Sequence, residues 1–173
     1  MDILWQELTH GIAGGPELTI VMIRLLAAII LGAAIGIERE IAGKSAGVRT
    51  HVLVALGTTI FVLATERFGM TSEGLSRVIQ GIITGIGFIG AGTIIKLSEE
   101  REVRGLTTSA GIWIAAAIGV TVGLGAVGLA IVGTVFTLLV LTVMVAIDNW
   151  INKGKLTTER PSKAGRQNSN DSE

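Results

Sequence analysis

Positions 81–92 read GIITGIGFIGAG, and Gly85, Gly87 and Gly90 have the G-x-G-x-x-G spacing of a dinucleotide-binding turn. Such a turn cradles a pyrophosphate on backbone N–H groups, but it needs a strand before it and a helix opening at its end. Here it lies inside a long apolar run, so phosphate binding is not expected. A second group of residues is polar. Glu38, Arg39 and Glu40 close one apolar run, and Arg49, Thr50 and His51 open the next. Lys96, Arg104, Thr107 and Thr108 join two later runs. These residues predict one polar cluster on the cytoplasmic side. Caps, snorkelling and ordinary loop charge are the competing account of the same residues. The chain has no Cys, no Tyr and two His, His10 and His51. Thiol chemistry is excluded, and no Ser-His-Asp set lies at one depth. His51 has no second His or Cys beside it, so it reads as a local hydrogen-bonder. No enzyme activity, no metal site and no cofactor are expected. Formal net charge is zero, so no basic field draws nucleic acid.

The elements that position these residues are apolar. Of 173 residues, 49% are hydrophobic and only 16% charged, and the mean hydropathy is +0.65. The charges gather in islands between long apolar runs, the pattern of a polytopic membrane protein. Five spans are expected, near 18–37, 48–65, 78–95, 106–122 and 126–147, making an all-α transmembrane bundle over 18–150. Residues 1–17 read as an external N-terminal segment, retained because no Lys or Arg precedes the first span. Residues 151–173 read as a disordered cytoplasmic tail. Lys and Arg number three in the 38–50 loop, three in 96–105 and five in the tail. The other side has two, Arg67 and Arg77. The positive-inside rule then puts the N-terminus outside and the C-terminus inside. An odd number of spans argues against a simple inverted-repeat transporter.

Glycine is abundant, at 24 residues. At 100° per residue, Gly81, Thr84, Gly85, Gly87, Ala91 and Gly92 share one arc of about 160°. Ile82, Ile83, Ile86, Ile89 and Ile94 take the other side. The small face is expected to pack against a helix, in the bundle or in a homodimer, and the isoleucines to meet lipid or looser packing. Ala28, Gly32 and Gly36 are spaced by four in the first span. Gly111, Ala115, Gly119 and Gly123 are spaced by four in the fourth. Both rows are expected to be packing seams. Arg24 is the one charge well inside a span. It either snorkels or pairs with Glu66 or Gln80 near the same boundary.

The segments RLLAAIILGAAIGIEREIAGKSAGVRTHVLVALG, GIITGIGFIGAGTII and VRGLTTSAGIWIAAAIGVTVGLG together resemble the MgtC/SapB family of bacterial inner-membrane proteins. The likeness covers about 24–144. It implies a multi-pass protein of the inner membrane, linked to growth in low magnesium and, in pathogens, to survival in phagocytes. It implies a regulatory role through partner membrane proteins, such as the ATP synthase or a cation pump, although members are often labelled magnesium transporters. The family's motif positions fall here on Glu38, Arg39, Gly47, Arg49, Thr50 and His51, then on Gly85, Gly87, Phe88, Gly90, Ala91 and Gly92, then on Gly105, Leu106, Thr107, Thr108 and Trp113. Several relatives carry a globular cytoplasmic domain after the last span, where this chain has a short polar tail.

Two functions compete: a regulator of other membrane proteins, and a transporter or channel for magnesium or another small solute. Mg²⁺ sheds water reluctantly and favours oxygen ligands, usually with a carboxylate. The five span interiors hold no Asp or Glu. Direct Mg²⁺ permeation is therefore disfavoured, while Glu38 and Glu40 remain candidates for a cation sensor. The expected contacts are membrane lipids and other inner-membrane proteins, with a homo-oligomer left open and no nucleic acid.

Overall fold

A computed structural model describes residues 16–97 and 102–158. Among the described residues, five helices are long and apolar enough to cross a membrane. They are α1 (Pro16–Ile41), α2 (Val48–Arg67), α3 (Ser72–Gly92), α4 (Leu106–Gly123) and α5 (Val127–Thr158). One short antiparallel hairpin, β1 (Ile95–Leu97) and β2 (Glu102–Arg104), joins α3 to α4 in the register Ile95↔Arg104. Among the described residues the remaining regular structure is all helical, as expected. Residues 1–15 and 159–173 lie outside the described residues, and so do most of the external segment and most of the tail.

The helix boundaries have local causes. α1, α2 and α4 stop the same way: Gly43, Gly69 and Gly125 take positive φ, and the N–H after each reaches back to Arg39, Thr65 and Thr121 carbonyls. That is the Schellman stop, which favours glycine because no Cβ opposes the left-handed turn. α3 starts six residues before the expected 78, because the Thr71 hydroxyl accepts from Gly74 N–H and caps a polar first turn. α5 runs on to Thr158, so the tail expected to be disordered from 151 begins as helix. Propagating an existing helix costs little, and no proline interrupts before Pro161. The chain divides into two compact units, Met1–Leu138 and Leu139–Glu173. The described part of the second unit is the continuation of α5, with Leu139, Val140 and Val143 exposed.

In the first unit α2 is central. α1 lays Ala28, Gly32, Ile35 and Gly36 on one side of it, and α4 lays Gly111, Ala115, Gly119 and Gly123 on another. Both rows expected to be seams are seams. A Cβ on Gly36 would stand 2.6 Å from Val48 Cα, and one on Gly119 would stand 2.2 Å from the Ala55 carbonyl oxygen. Hydroxyls line the α2–α4 seam: Thr59 Oγ1 lies 2.8 Å from both the Gly119 carbonyl oxygen and the Ala55 carbonyl oxygen of its own helix, and Thr58 Oγ1 shares its hydrogen among Val54 at 2.9 Å, Ala55 at 3.1 Å and Ala116 at 3.2 Å. Bilayer lipid gives no hydrophobic drive between helices, so close backbone approach and such bonds hold them together. Thr59→Val keeps the shape and removes one seam bond. It is expected to cost about 1 kcal/mol, read as a lower melting temperature in detergent.

α3 departs from the expectation for its two faces in part: Ile83, Ile89 and Ile94 are exposed as expected, but Ile82 and Ile86 are not. Within one chain Gly81, Gly85, Gly87 and Gly92 have no neighbour within 4 Å of a Cβ position, whereas Ile82, Ile86 and Gly90 are buried. The cause is competition for α2. Its flanks are filled by the α1 and α4 rows, and what remains for α3 is an apolar surface of Val62 on α2 with Ile112 and Ala116 on α4. Isoleucines fill such a surface better than glycines do. The one close approach is Gly90, where a Cβ would meet Ser109 Oγ at 2.4 Å.

Candidate functional site

The α1–α2 corner follows from where its charges find donors. Arg39 faces inward at the end of α1 and is only 1% exposed. Its guanidinium holds the Glu38 carboxylate through both Nε and Nη2, the latter at 2.6 Å from Oε1. Glu40 reaches across the turn, and its Oε2 accepts from Val48 N–H at 3.0 Å. It thereby serves the first turn of α2, whose N–H groups have no helical partner. Both carboxylates proposed as cation sensors are thus already engaged by groups of this chain.

His51 lies one turn into α2 and is fully buried. Its Nδ1 is 2.9 Å from the Gly47 carbonyl oxygen. A carbonyl can only accept, so Nδ1 carries the hydrogen and neutral His51 presents a bare lone pair at Nε2. That Nε2 is buried without a partner. It faces α4, where a Cβ on Gly111 would lie 3.1 Å from it and 3.7 Å from Arg39 Cδ. Gly111 is therefore what lets the imidazole and the Arg39 stem pack against the α4 backbone. Thr108 is buried one turn earlier on the same helix.

The structure divides the expected cluster. Arg39, His51 and Thr108 are interior, and Glu38 is partly buried beside them. Arg49, Arg104 and Thr107 are exposed and Thr50 is half-buried, so these form a rim. Lys96 lies on β1, and its side chain is outside the described residues. Among the described residues no group of three His, Asp or Glu is placed to hold a metal ion. Sequence reasoning assigned Gly111 to helix packing but missed what it packs against. The i+4 relation between Gly47 and His51 was the visible sign of the Nδ1 bond.

At the α2–α3 end, Arg24 pairs with Glu66 and not with Gln80. Nη1 lies 2.5 Å from Glu66 Oε2 and donates to the Gly123 carbonyl at 2.9 Å. Gly125 makes room, since a Cβ there would meet Nη2 at 2.6 Å. Gln80 is exposed on α3 and reaches only Ser76, at 3.5 Å. A cavity of about 180 Å³ opens beside this pair, lined by Thr65, Glu66, Thr71 and Ser72 over Val62 and Leu75. Glu66 is 62% exposed, so water screens the pair. Arg24→Ala is expected to cost about 1 kcal/mol, mostly through the Gly123 bond. An unchanged detergent melt would show that the contact carries nothing.

The polar corner, the two glycine seams and the five spans coincide with a family profile, that of the MgtC family, which matches residues 25–150. The chain belongs to the MgtC family. It is 45% identical over 129 residues to the Escherichia coli K12 protein named "Putative magnesium transporter YhiD", covering 70% of this chain and 59% of YhiD. It is 45% identical over 130 residues to Protein SrpB of Synechococcus elongatus, 69% of this chain and 71% of SrpB. Protein MgtC of Salmonella typhimurium is 44% identical over 117 residues, 68% of this chain and 49% of that protein. The chain thus spans about half the length of MgtC. No solved structure matches it. As an MgtC-family chain with five candidate membrane helices, it is a multi-pass membrane protein.

Proposed function

We propose that this chain is a regulator in the bacterial inner membrane, acting on partner membrane proteins during adaptation to low magnesium or host-cell stress, and that it neither conducts Mg²⁺ nor catalyses a reaction. The N-terminus lies outside and the α1–α2 corner faces the cytoplasm. The observation that carries this reading is the sign of the interior charge. The two most buried charged side chains among the described residues are arginines, Arg39 and Arg24. The carboxylates nearest them are bonded to those same arginines, and Glu40 is bonded to the α2 backbone. A dehydrating Mg²⁺ needs free oxygen ligands, usually with a carboxylate, and a fixed guanidinium repels it. The partner is a membrane protein such as the ATP synthase or a cation pump.

The name of the YhiD relative favours the other reading, a magnesium transporter. Purified chain reconstituted in liposomes around a Mg²⁺-sensitive dye separates the two. Flux equal to that of empty liposomes is expected, and saturable flux would overturn the proposal. Cross-linking in native membranes, followed by mass spectrometry, then identifies the partner.

A further inference from the structure

The outward face of α3 is wrongly made for lipid. α5 shows what a lipid-facing surface looks like here: Leu129, Val132 and Phe136 are each at least half exposed. α3 turns Ile82 and Ile86 inward, and alongside the exposed Ile83 and Ile89 it displays Gly81, Thr84, Gly85 and Gln80. Gln80 lies eight residues into the helix, about 12 Å from its start and three residues beyond the exposed Arg77, where the apolar part of the span begins. Its amide reaches only Ser76 Oγ of its own helix, at 3.5 Å, the long limit of a hydrogen bond. A carboxamide facing lipid keeps donors and an acceptor that the solvent cannot satisfy.

We propose that this face of α3 is the contact between two copies of the chain, with Gln80 bonded to the partner's Gln80. A twofold axis along the membrane normal sets the same face against itself. A carboxamide has both donor and acceptor, so it completes itself across such an axis. The charges on the face agree. Glu73 and Arg77 are bonded at 2.6 Å and both are 75% exposed. A twofold can set each arginine opposite the partner's Glu73, which makes the patch self-complementary in charge. Gly81 and Gly85 then allow the backbones to approach, as the glycine rows of α1 and α4 already do against α2. Phe88, 84% exposed on the same side, gains cover. Lipid offers none of these matches, and an unrelated helix would have to supply all of them.

The chain has no cysteine, so single-cysteine variants report cleanly. Gly81→Cys, Thr84→Cys and Phe88→Cys, oxidised in native membranes, are expected to give a product of twice the chain mass. Leu129→Cys and Val132→Cys on α5 are expected to give none. Equal cross-linking from both helices, or α3 products of any other mass, would overturn the proposal. In liposomes, Gln80→Leu is expected to weaken self-association roughly threefold to tenfold, measured by energy transfer between labelled copies. Gly85→Leu is expected to abolish self-association while melting like the parent, since nothing in its own chain lies within 4 Å of a Cβ there. Parent-like association of either variant would overturn the proposal.

Discussion

Gly119→Leu is expected to abolish the folded bundle, leaving no cooperative melt in detergent and no monodisperse peak. The first added carbon already condemns it. A Cβ at this position falls 2.0 Å from Thr58 Oγ1 and 2.2 Å from the Ala55 carbonyl oxygen. A hydroxyl can rotate away, but a carbonyl belongs to the backbone of α2. The whole helix must retreat, and with it go the bonds from Thr58 to Ala116 and from Thr59 to Gly119. Overpacking of this kind costs about 3 kcal/mol or more before those bonds are counted. Adding Thr58→Ala to the variant is expected to restore little, because the Ala55 carbonyl still blocks the site. Gly57→Ala is the control. Gly57 lies in the same seam helix with nothing within 4 Å of a Cβ, so the change is expected to stabilise by up to about 1 kcal/mol through helix propensity.

Glu38→Ala is expected to cost about 3 kcal/mol, and Arg39→Met less than half of that. The asymmetry comes from burial. Arg39 is 1% exposed, whereas Glu38 retains 21%. Removing the carboxylate strands a guanidinium in the interior, next to the partnerless Nε2 of His51. Removing the arginine leaves a carboxylate that can still reach water, and methionine refills much of the space along α1. Urea or thermal unfolding in matched micelles measures both. Equal losses would mean that the pair acts through packing and not through charge.

Much of this architecture is legible in the chain alone. Rows of glycine and alanine spaced by four in α1 and α4 point to seams because small residues on one face let backbones approach closely. Arg24 is legible in part: its depth allows either snorkelling or a partner, and Glu66 is one of the two partners at its level. The faces of α3 are not legible. Periodicity groups Gly81, Gly85 and Gly92 on one side and Ile82 and Ile86 on another, but either side can face protein when the solvent is hydrocarbon. Only the shape left by α1, α2 and α4 decides, and that shape is a property of three other helices. The fates of Glu38 and Glu40 are hidden for a related reason. Sequence shows two carboxylates at a boundary, while the donors that engage them are a neighbouring side chain and a backbone N–H across a glycine turn. The hairpin after α3 is hidden because strands of three residues carry no readable alternation.

Arg24 joins α1 to α2 and α4 at one end of the molecule, while Glu40 ties α1 to α2 at the other. Between these clamps the glycine rows leave no slack. The trio therefore behaves as a stiff chassis. Its amides are the ones that should exchange with deuterium last, and those of α3, held by aliphatic side chains and the one close approach at Gly90, should exchange sooner.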